Sequence, residues 1–186
     1  MVTVDLRKLE HLIAVAEEGT FTRAAKRLHL SQQALSTSIR ALEREVGVDL
    51  LDRGGHAVVV LPAGEALIAD ARVLHGVARS AIQRARRIGR DETETLRIGH
   101  TPAVTSAEIG VLLRLAHASH PDLTVHVNQR YPGELSEQLI GGDLDLALCR
   151  GMAPEHGLVR STLTRHRLRV AVASAVSYTH LRAHET

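Results

Sequence analysis

Two helical segments, one short and one long, follow each other within about 25 residues across a two-residue break. This feature limits the fold of the chain more than any other. Ala24, Ala25 and Leu28 form one face of the short segment, which starts near Thr22, a residue able to cap it. His29-Leu30 interrupts the period. Ser31 is a good N-cap for a longer helix from Gln32 to about Val46, and Gly47 ends it. Leu35, Ile39 and Leu42 fall on one side of that helix, so Gln32, Gln33, Ser36, Thr37 and Arg40 fall on or near the other. A short helix, a tight turn and a longer helix in this order have the layout of a helix-turn-helix, whose second helix offers its outer face to a major groove.

The flanks agree with that layout. Asp5 to Glu18 reads as a preceding helix, with Leu6, Leu9, Leu12, Ile13 and Ala16 at helical spacing, Asp5 as its cap and Gly19 as its stop. After Gly47, Leu50–Arg53 and Ala57–Leu61 are strand-like, and Gly54-Gly55 between them suits a tight turn. This hairpin is the expected wing. Pro62 then opens a long helix, at a position where its missing N–H costs nothing. Leu67, Ala71, Leu74, Ala78, Ala81, Ala85 and Ile88 alternate in steps of four and three, a coiled-coil seam on a rod of roughly 40 Å. A rod with one narrow apolar stripe needs a partner helix, so dimerisation is expected there.

Beyond a polar hinge at residues 90–95 the pattern changes. Strand-like Leu96–Gly99, Leu123–Val127, Leu144–Cys149 and Leu168–Ala173 alternate with helical Ser106–Ala118 and Glu134–Ile140, which predicts a parallel sheet faced by helices. Ile109, Leu112, Leu113 and Ala116 should face inward. Residues 174–186 continue neither pattern.

Composition narrows the function classes. The net charge is only +2. Residues 1–61 carry eight basic side chains (Arg7, Lys8, Arg23, Lys26, Arg27, Arg40, Arg44, Arg53) and eight acidic ones (Asp5, Glu10, Glu17, Glu18, Glu43, Glu45, Asp49, Asp52). A nucleic-acid face must therefore come from placement of charge, not from excess. Phe21, Tyr131 and Tyr178 are the only aromatics, too few for a platform that stacks single-stranded bases. Cys149 is the only cysteine, so no intrachain disulfide or Cys-x-x-Cys site forms, and the twelve histidines show no metal-ligand spacing. No apolar run spans a membrane and no secretory leader is visible, which places the chain in the cytoplasm. No Gly-x-Ser-x-Gly, P-loop or paired-carboxylate setting supports an enzyme, and no cofactor or catalytic residue is expected.

The residues Phe21-Thr-Arg-Ala-Ala-Lys-Arg-Leu-His-Leu-Ser-Gln-Gln-Ala-Leu-Ser36, then Ile39–Glu43 and Leu50–Arg53, resemble the helix-turn-helix of LysR-type transcriptional regulators. Pro62–Glu65 resembles the start of that family's linker helix, and Leu96–Gly99, His120-Pro121 and Gly142–Ala147 its effector domain. The resemblance implies an all-α winged helix-turn-helix plus long linker helix, followed by a partial α/β periplasmic-binding-protein-like lobe. It divides the chain into a DNA-binding domain (1–61), a linker and dimerisation helix (62–90), the first part of an effector-binding domain (91–173) and a tail of doubtful origin (174–186). It further implies double-stranded DNA and a small-molecule co-inducer as partners, a homodimer or tetramer built through the linker helix, and a second effector lobe missing from this chain. The chain departs from the family pattern in four respects. Gln33 stands where Pro is frequent and Thr37 where Arg is common. His56, Ala57 and Val59 make the wing poor in charge. Leu61 replaces a frequent Thr that would cap the linker helix, at a cost of ~1 kcal/mol.

Ser31, Gln32, Gln33, Ser36, Thr37 and Arg40 are the expected DNA-contacting residues: glutamine matches adenine N6 and N7, arginine matches guanine O6 and N7, and serine donates to phosphate or base edges. The bland alternative is a solvated helix face. Arg53 and His56 flank the glycine turn and are expected to reach phosphate, the alternative for His56 being a free surface imidazole. Arg23 and Arg27 either contact phosphate or are solvated. Thr101, Thr105, Asn128 and Arg150 follow strands or start a helix at the ends of the sheet where ligands bind, and are the effector-binding candidates. Helix capping is the alternative for Thr105, and solvation for Arg150. Two further functional readings stand beside the regulator: an enzyme, disfavoured by its missing motifs, and a truncated fragment that binds DNA or dimerises without effector response.

Overall fold

The structure is a computed structural model that describes residues 5–54, 57–90, 93–151 and 155–165. The strand expected at 168–173 and the tail 174–186 lie outside the described residues.

Three helices form the N-terminal unit: α1 (Leu6–Glu18), α2 (Phe21–Arg27) and α3 (Gln32–Val46). Asp5 caps α1 by accepting from the Arg7 N–H, and Gly19 and Gly47 end α1 and α3 in the left-handed conformation that favours glycine. Ser31 caps α3, its hydroxyl accepting from the Ala34 N–H at 3.1 Å. The cap of α2 is Thr20 and not Thr22. Thr20 has extended backbone and accepts from the Arg23 N–H, so the helix starts two residues earlier than a cap at Thr22 would place it. His29 takes a φ of 56°, which turns the chain between α2 and α3. Leu9, Leu12 and Val15 of α1, Ala24 and Ala25 of α2, and Leu35, Ile39 and Leu42 of α3 close one core.

The expected hairpin contracts to β1 (Leu51–Asp52) and β2 (Val59–Val60), antiparallel, with Leu51 opposite Val60. A bond from the Leu61 N–H to the Leu50 carbonyl extends the ladder toward the next helix. Gly55 and His56 of the connecting turn lie outside the described residues.

Helix α4 (Pro62–Gly89) begins with Pro62 in its first turn, and Leu61 supplies no side-chain cap, as its residue type requires. The apolar seam splits in two. Leu67 and Ala71 pack into the N-terminal core, whereas Leu74 and Ile88 are 49% and 76% exposed, and Val77 and Ile82 beside them are exposed as well. Glu17 fastens α4 to the N-terminal unit, its carboxylate bonding Arg72 at 3.0 Å and Arg27 at 2.7 Å.

The C-terminal unit is a parallel sheet in the order β4-β3-β5, formed by β3 (Thr95–His100), β4 (Thr124–Gln129) and β5 (Leu146–Leu148). Helices α5 (Ser106–Ser119) and α6 (Pro132–Ile140) make the crossovers. β5 is shorter than expected because Asp143 and Leu144 bond the Gln138 carbonyl at the end of α6 and join no ladder. Ile109 of α5 is buried, while Leu112, Leu113 and Ala116 are half-buried. Arg97 of β3 ties the sheet to α4: it bonds Asp145 through Nε and Nη2 and Gln83 through Nη1. Gly76 of α4 lies so close to α6 that a Cβ there would sit 1.8 Å from the Ile140 carbonyl oxygen.

Two outcomes follow. Gly76→Ala should force the end of α6 away from α4, at about 1–3 kcal/mol. Hydrogen exchange should then rise in residues 132–145 while the N-terminal helices stay protected; unchanged exchange at 132–145 would speak against the close packing. For Glu17, burial pushes the carboxyl up, but hydrogen bonds and charge from Arg27 and Arg72 outweigh it and leave it below the usual range. Its stabilisation is therefore present above the ordinary carboxylate pKa and lost as pH falls through the lowered folded value. Denaturation from pH 7 down to about 3 should show wild type and Glu17→Gln differing by no more than about 1 kcal/mol after solvent screening, and converging in acid.

Candidate nucleic-acid interface

Leu35, Ile39 and Leu42 have no exposed surface, and this fixes the rotation of α3 about its axis. Gln32, Gln33, Thr37 and Arg40 are thereby exposed, and Ser36 is half-buried at the edge of the same face. Ser31 is also exposed, although its hydroxyl is engaged as the cap. The Thr37 hydroxyl donates back to the Gln33 carbonyl at 2.9 Å. Thr22 of α2 donates to Gln32 Oε1 at 3.1 Å, a cross-helix contact that the sequence pattern does not reveal, since Thr22 by residue type reads as a helix cap.

Charge is sorted by pairing. Arg27 bonds Glu17 and Glu18, Arg23 bonds the Glu18 carbonyl, and Lys8 pairs with Glu45. Among the described residues Lys26 and Arg40 take part in no ion pair, and both are exposed. The unit has no net excess of cations, but its anions are largely spent on internal partners.

Arg53 is placed at the end of β1 and held there. Its Nη2 bonds Glu43 Oε2 at 2.5 Å, and its guanidinium carbon lies 5.3 Å from the centre of the Phe21 ring. Glu43 Oε1 accepts from the N–H groups of Leu50 and Leu51 at 3.1 and 3.3 Å. One carboxylate on the inner edge of α3 thus anchors the first strand, and sequence reasoning passed over it because an acidic residue on a helix reads as solvated. His56 lies outside the described residues.

In the C-terminal unit the loops after the three strands are tied together, Thr101 N–H to the Leu148 carbonyl and Arg130 N–H to the His100 carbonyl. Thr101 is 4% exposed, and its hydroxyl is buried with no hydrogen-bond partner among the described residues. Thr105 caps α5 in a reciprocal box with Glu108, and Arg150 bonds that same glutamate at 2.9 Å. The Thr105 backbone N–H, then its hydroxyl, then Arg150 pull the Glu108 carboxyl down to about 2. Thr105 and Arg150 are therefore brought together, by a glutamate not singled out in the sequence. Asn128 is exposed on β4, opposite Gly99 in register. Next to these residues, Pro102, Gln129, Arg130, Tyr131 and Glu134 line an open depression of about 460 Å³. The position of Pro102, Arg130 and Tyr131 in the loops after β3 and β4 is the available signal.

Glu43→Ala leaves two backbone N–H groups without their acceptor and releases Arg53. It should lower unfolding free energy by about 2 kcal/mol in chemical denaturation, and Glu43→Gln, which keeps an acceptor, by less. Equal losses in the two variants would show that the backbone bonds contribute nothing.

Comparison with known proteins places this geometry. Residues 6–65 match the profile of the bacterial regulatory helix-turn-helix protein, lysR family, and residues 89–184 match the LysR substrate binding domain. The chain is 34% identical over 168 residues to the HTH-type transcriptional regulator YnfL of Escherichia coli (strain K12), covering 90% of this chain and 57% of that protein. It is 34% identical over 165 residues to ClcR of Pseudomonas putida, covering 89% and 56%. It is 30% identical over 170 residues to TfdT of Cupriavidus pinatubonensis (strain JMP 134 / LMG 1197), covering 91% and 75%. The chain spans a little over half the length of the first two relatives. Among solved structures, full-length CbnR complexed with its target DNA superimposes with a TM-score of 0.57 at 31% identity, covering 83% of this chain and 52% of that one.

Proposed function

Since the chain belongs to the LysR family of bacterial regulatory helix-turn-helix proteins, we propose that it serves in a sequence-specific DNA-binding transcriptional regulator that responds to a small-molecule co-inducer. The observation that carries this reading is the outward face of α3. Gln32, Gln33, Thr37 and Arg40 stand exposed on a helix whose opposite side is locked into the core. The DNA complex of the CbnR relative supports it.

On this reading residues 1–61 are a winged helix-turn-helix. Gln32, Gln33, Ser36 and Arg40 meet base edges, Ser31 and Thr37 lie against the backbone, and Arg53 and His56 of the wing meet phosphate. Phosphate contact by Arg53 would share its guanidinium with Glu43. Residues 62–90 are the linker, and the exposed strip Leu74, Val77, Ala81, Ile82, Ala85 and Ile88 is the surface a second copy covers. Residues 91–173 form the first part of a periplasmic-binding-protein-like effector domain. Thr101, with its unpartnered buried hydroxyl, Thr105, Asn128 and Arg150 contribute to the co-inducer site at the C-terminal ends of the strands. No helix among the described residues is long and apolar enough to cross a membrane.

The test is equilibrium binding of the full chain to a duplex from the intergenic region beside its own coding sequence, against a random duplex, over a salt series. The logarithm of the affinity for the intergenic duplex should fall linearly with the logarithm of salt concentration. Arg40→Ala should lose about 1–3 kcal/mol of discrimination against the random duplex. Equal affinity for the two duplexes would remove the regulator assignment.

A further inference from the structure

We propose that Thr22 is a positioning residue for base recognition, holding the side-chain amide of Gln32 in one orientation at the N-terminus of α3. The proposal rests on the DNA-binding reading above and assigns it a residue outside the recognition helix. Thr20 caps α2, so the Thr22 hydroxyl has no duty in its own helix. It donates instead to Gln32 Oε1 across the turn, at 3.1 Å. Gln32 is the first residue of α3, directly after the Ser31 cap, and the N-terminal residues of a recognition helix are the ones that reach base edges.

The chemistry follows from counting protons and lone pairs. A glutamine amide has two acceptor sites on Oε1 and two donors on Nε2. Thr22 takes one acceptor site. One lone pair and both N–H groups remain, the set that pairs with adenine by accepting from N6 and donating to N7. Unsupported, an exposed glutamine loses three side-chain rotations on binding and presents its amide in either sense. The Thr22 bond fixes which end faces α2, leaving Nε2 for the base. The Thr22 hydroxyl has a single proton. Donated to Gln32, that proton is not available to a phosphate oxygen, so Thr22 acts on base preference and not on overall affinity. Thr22 is exposed, and replacing its hydroxyl by a methyl group removes no core contact.

The probe is a pool of duplexes with a randomised central segment, bound by the full chain and sequenced, with thermal melting confirming that each variant is folded. Gln32→Ala should flatten preference at one base pair per half-site. Thr22→Val should weaken preference at that same base pair about three- to tenfold and leave other positions unchanged. Thr22→Ser, which keeps the hydroxyl, should match wild type. The proposal is overturned if Thr22→Val keeps the wild-type profile, lowers affinity evenly across all sequences, or alters a different base pair from Gln32→Ala. If wild type itself enriches no sequence, the DNA-binding reading fails and the proposal falls with it.

Discussion

The burial of Leu35, Ile39 and Leu42 is the constraint on which the rest of the molecule depends. These three side chains sit three and four residues apart on α3 and are fully enclosed with Leu9, Leu12 and Val15 of α1 and Ala24 and Ala25 of α2. Each contributes about 1.5–3 kcal/mol by leaving water. Together they fix the rotation of α3, because turning the helix by one residue, about 100°, would expose leucine and bury glutamine. Small alanines on α2 let that helix approach closely, which brings Thr22 within reach of Gln32. The outward face of α3 is thus a consequence of its inward face.

Electrostatics then act on a surface already set by packing. Equal numbers of acidic and basic residues in 1–61 argue against a DNA-binding face on bulk charge. Pairing resolves this. Glu17, Glu18, Glu43 and Glu45 each engage a cation within the protein, and these pairs join α1 to α2, α3 and α4 and β1 to α3. Among the described residues Arg40 and Lys26 stay outside these pairs, as do Arg7 and Arg44. The same economy recurs in the C-terminal unit, where Glu108 serves at once as a helix cap and as the partner of Arg150. Arg97, bonded to both Asp145 and Gln83, links the sheet to α4. The helix that carries the exposed apolar strip is therefore in contact with both units.

Helices bounded by strong caps were legible in the sequence. Asp5 and Gly19, Ser31 and Gly47, and Pro62 are local signals, and the elements they bound match their expected limits closely. Strand–helix alternation likewise gave the parallel sheet. What was not legible depended on tertiary partners. Thr20 and Thr22 are equally good caps by residue type, and backbone geometry at Thr20 decides between them. β5 is shorter than its apolar run because the Gln138 carbonyl takes the N–H groups near its start, and on the turn side of the hairpin the Val58 N–H bonds the Gly19 carbonyl and not β1. At the candidate sites, the face of α3 followed from helical spacing alone. The link between Thr105 and Arg150 did not, since it passes through a glutamate whose sequence position suggests only a solvated helix turn.

The most direct measurement is affinity cleavage. A single cysteine introduced as Gln33→Cys in a Cys149→Ser background carries an iron chelate, and the full chain is bound to its intergenic duplex. If α3 enters the groove by the face opposite Leu35, Ile39 and Leu42, strand cuts will cluster within one major-groove segment in each half-site. Cuts scattered along the duplex, or confined to the minor groove, would contradict the account.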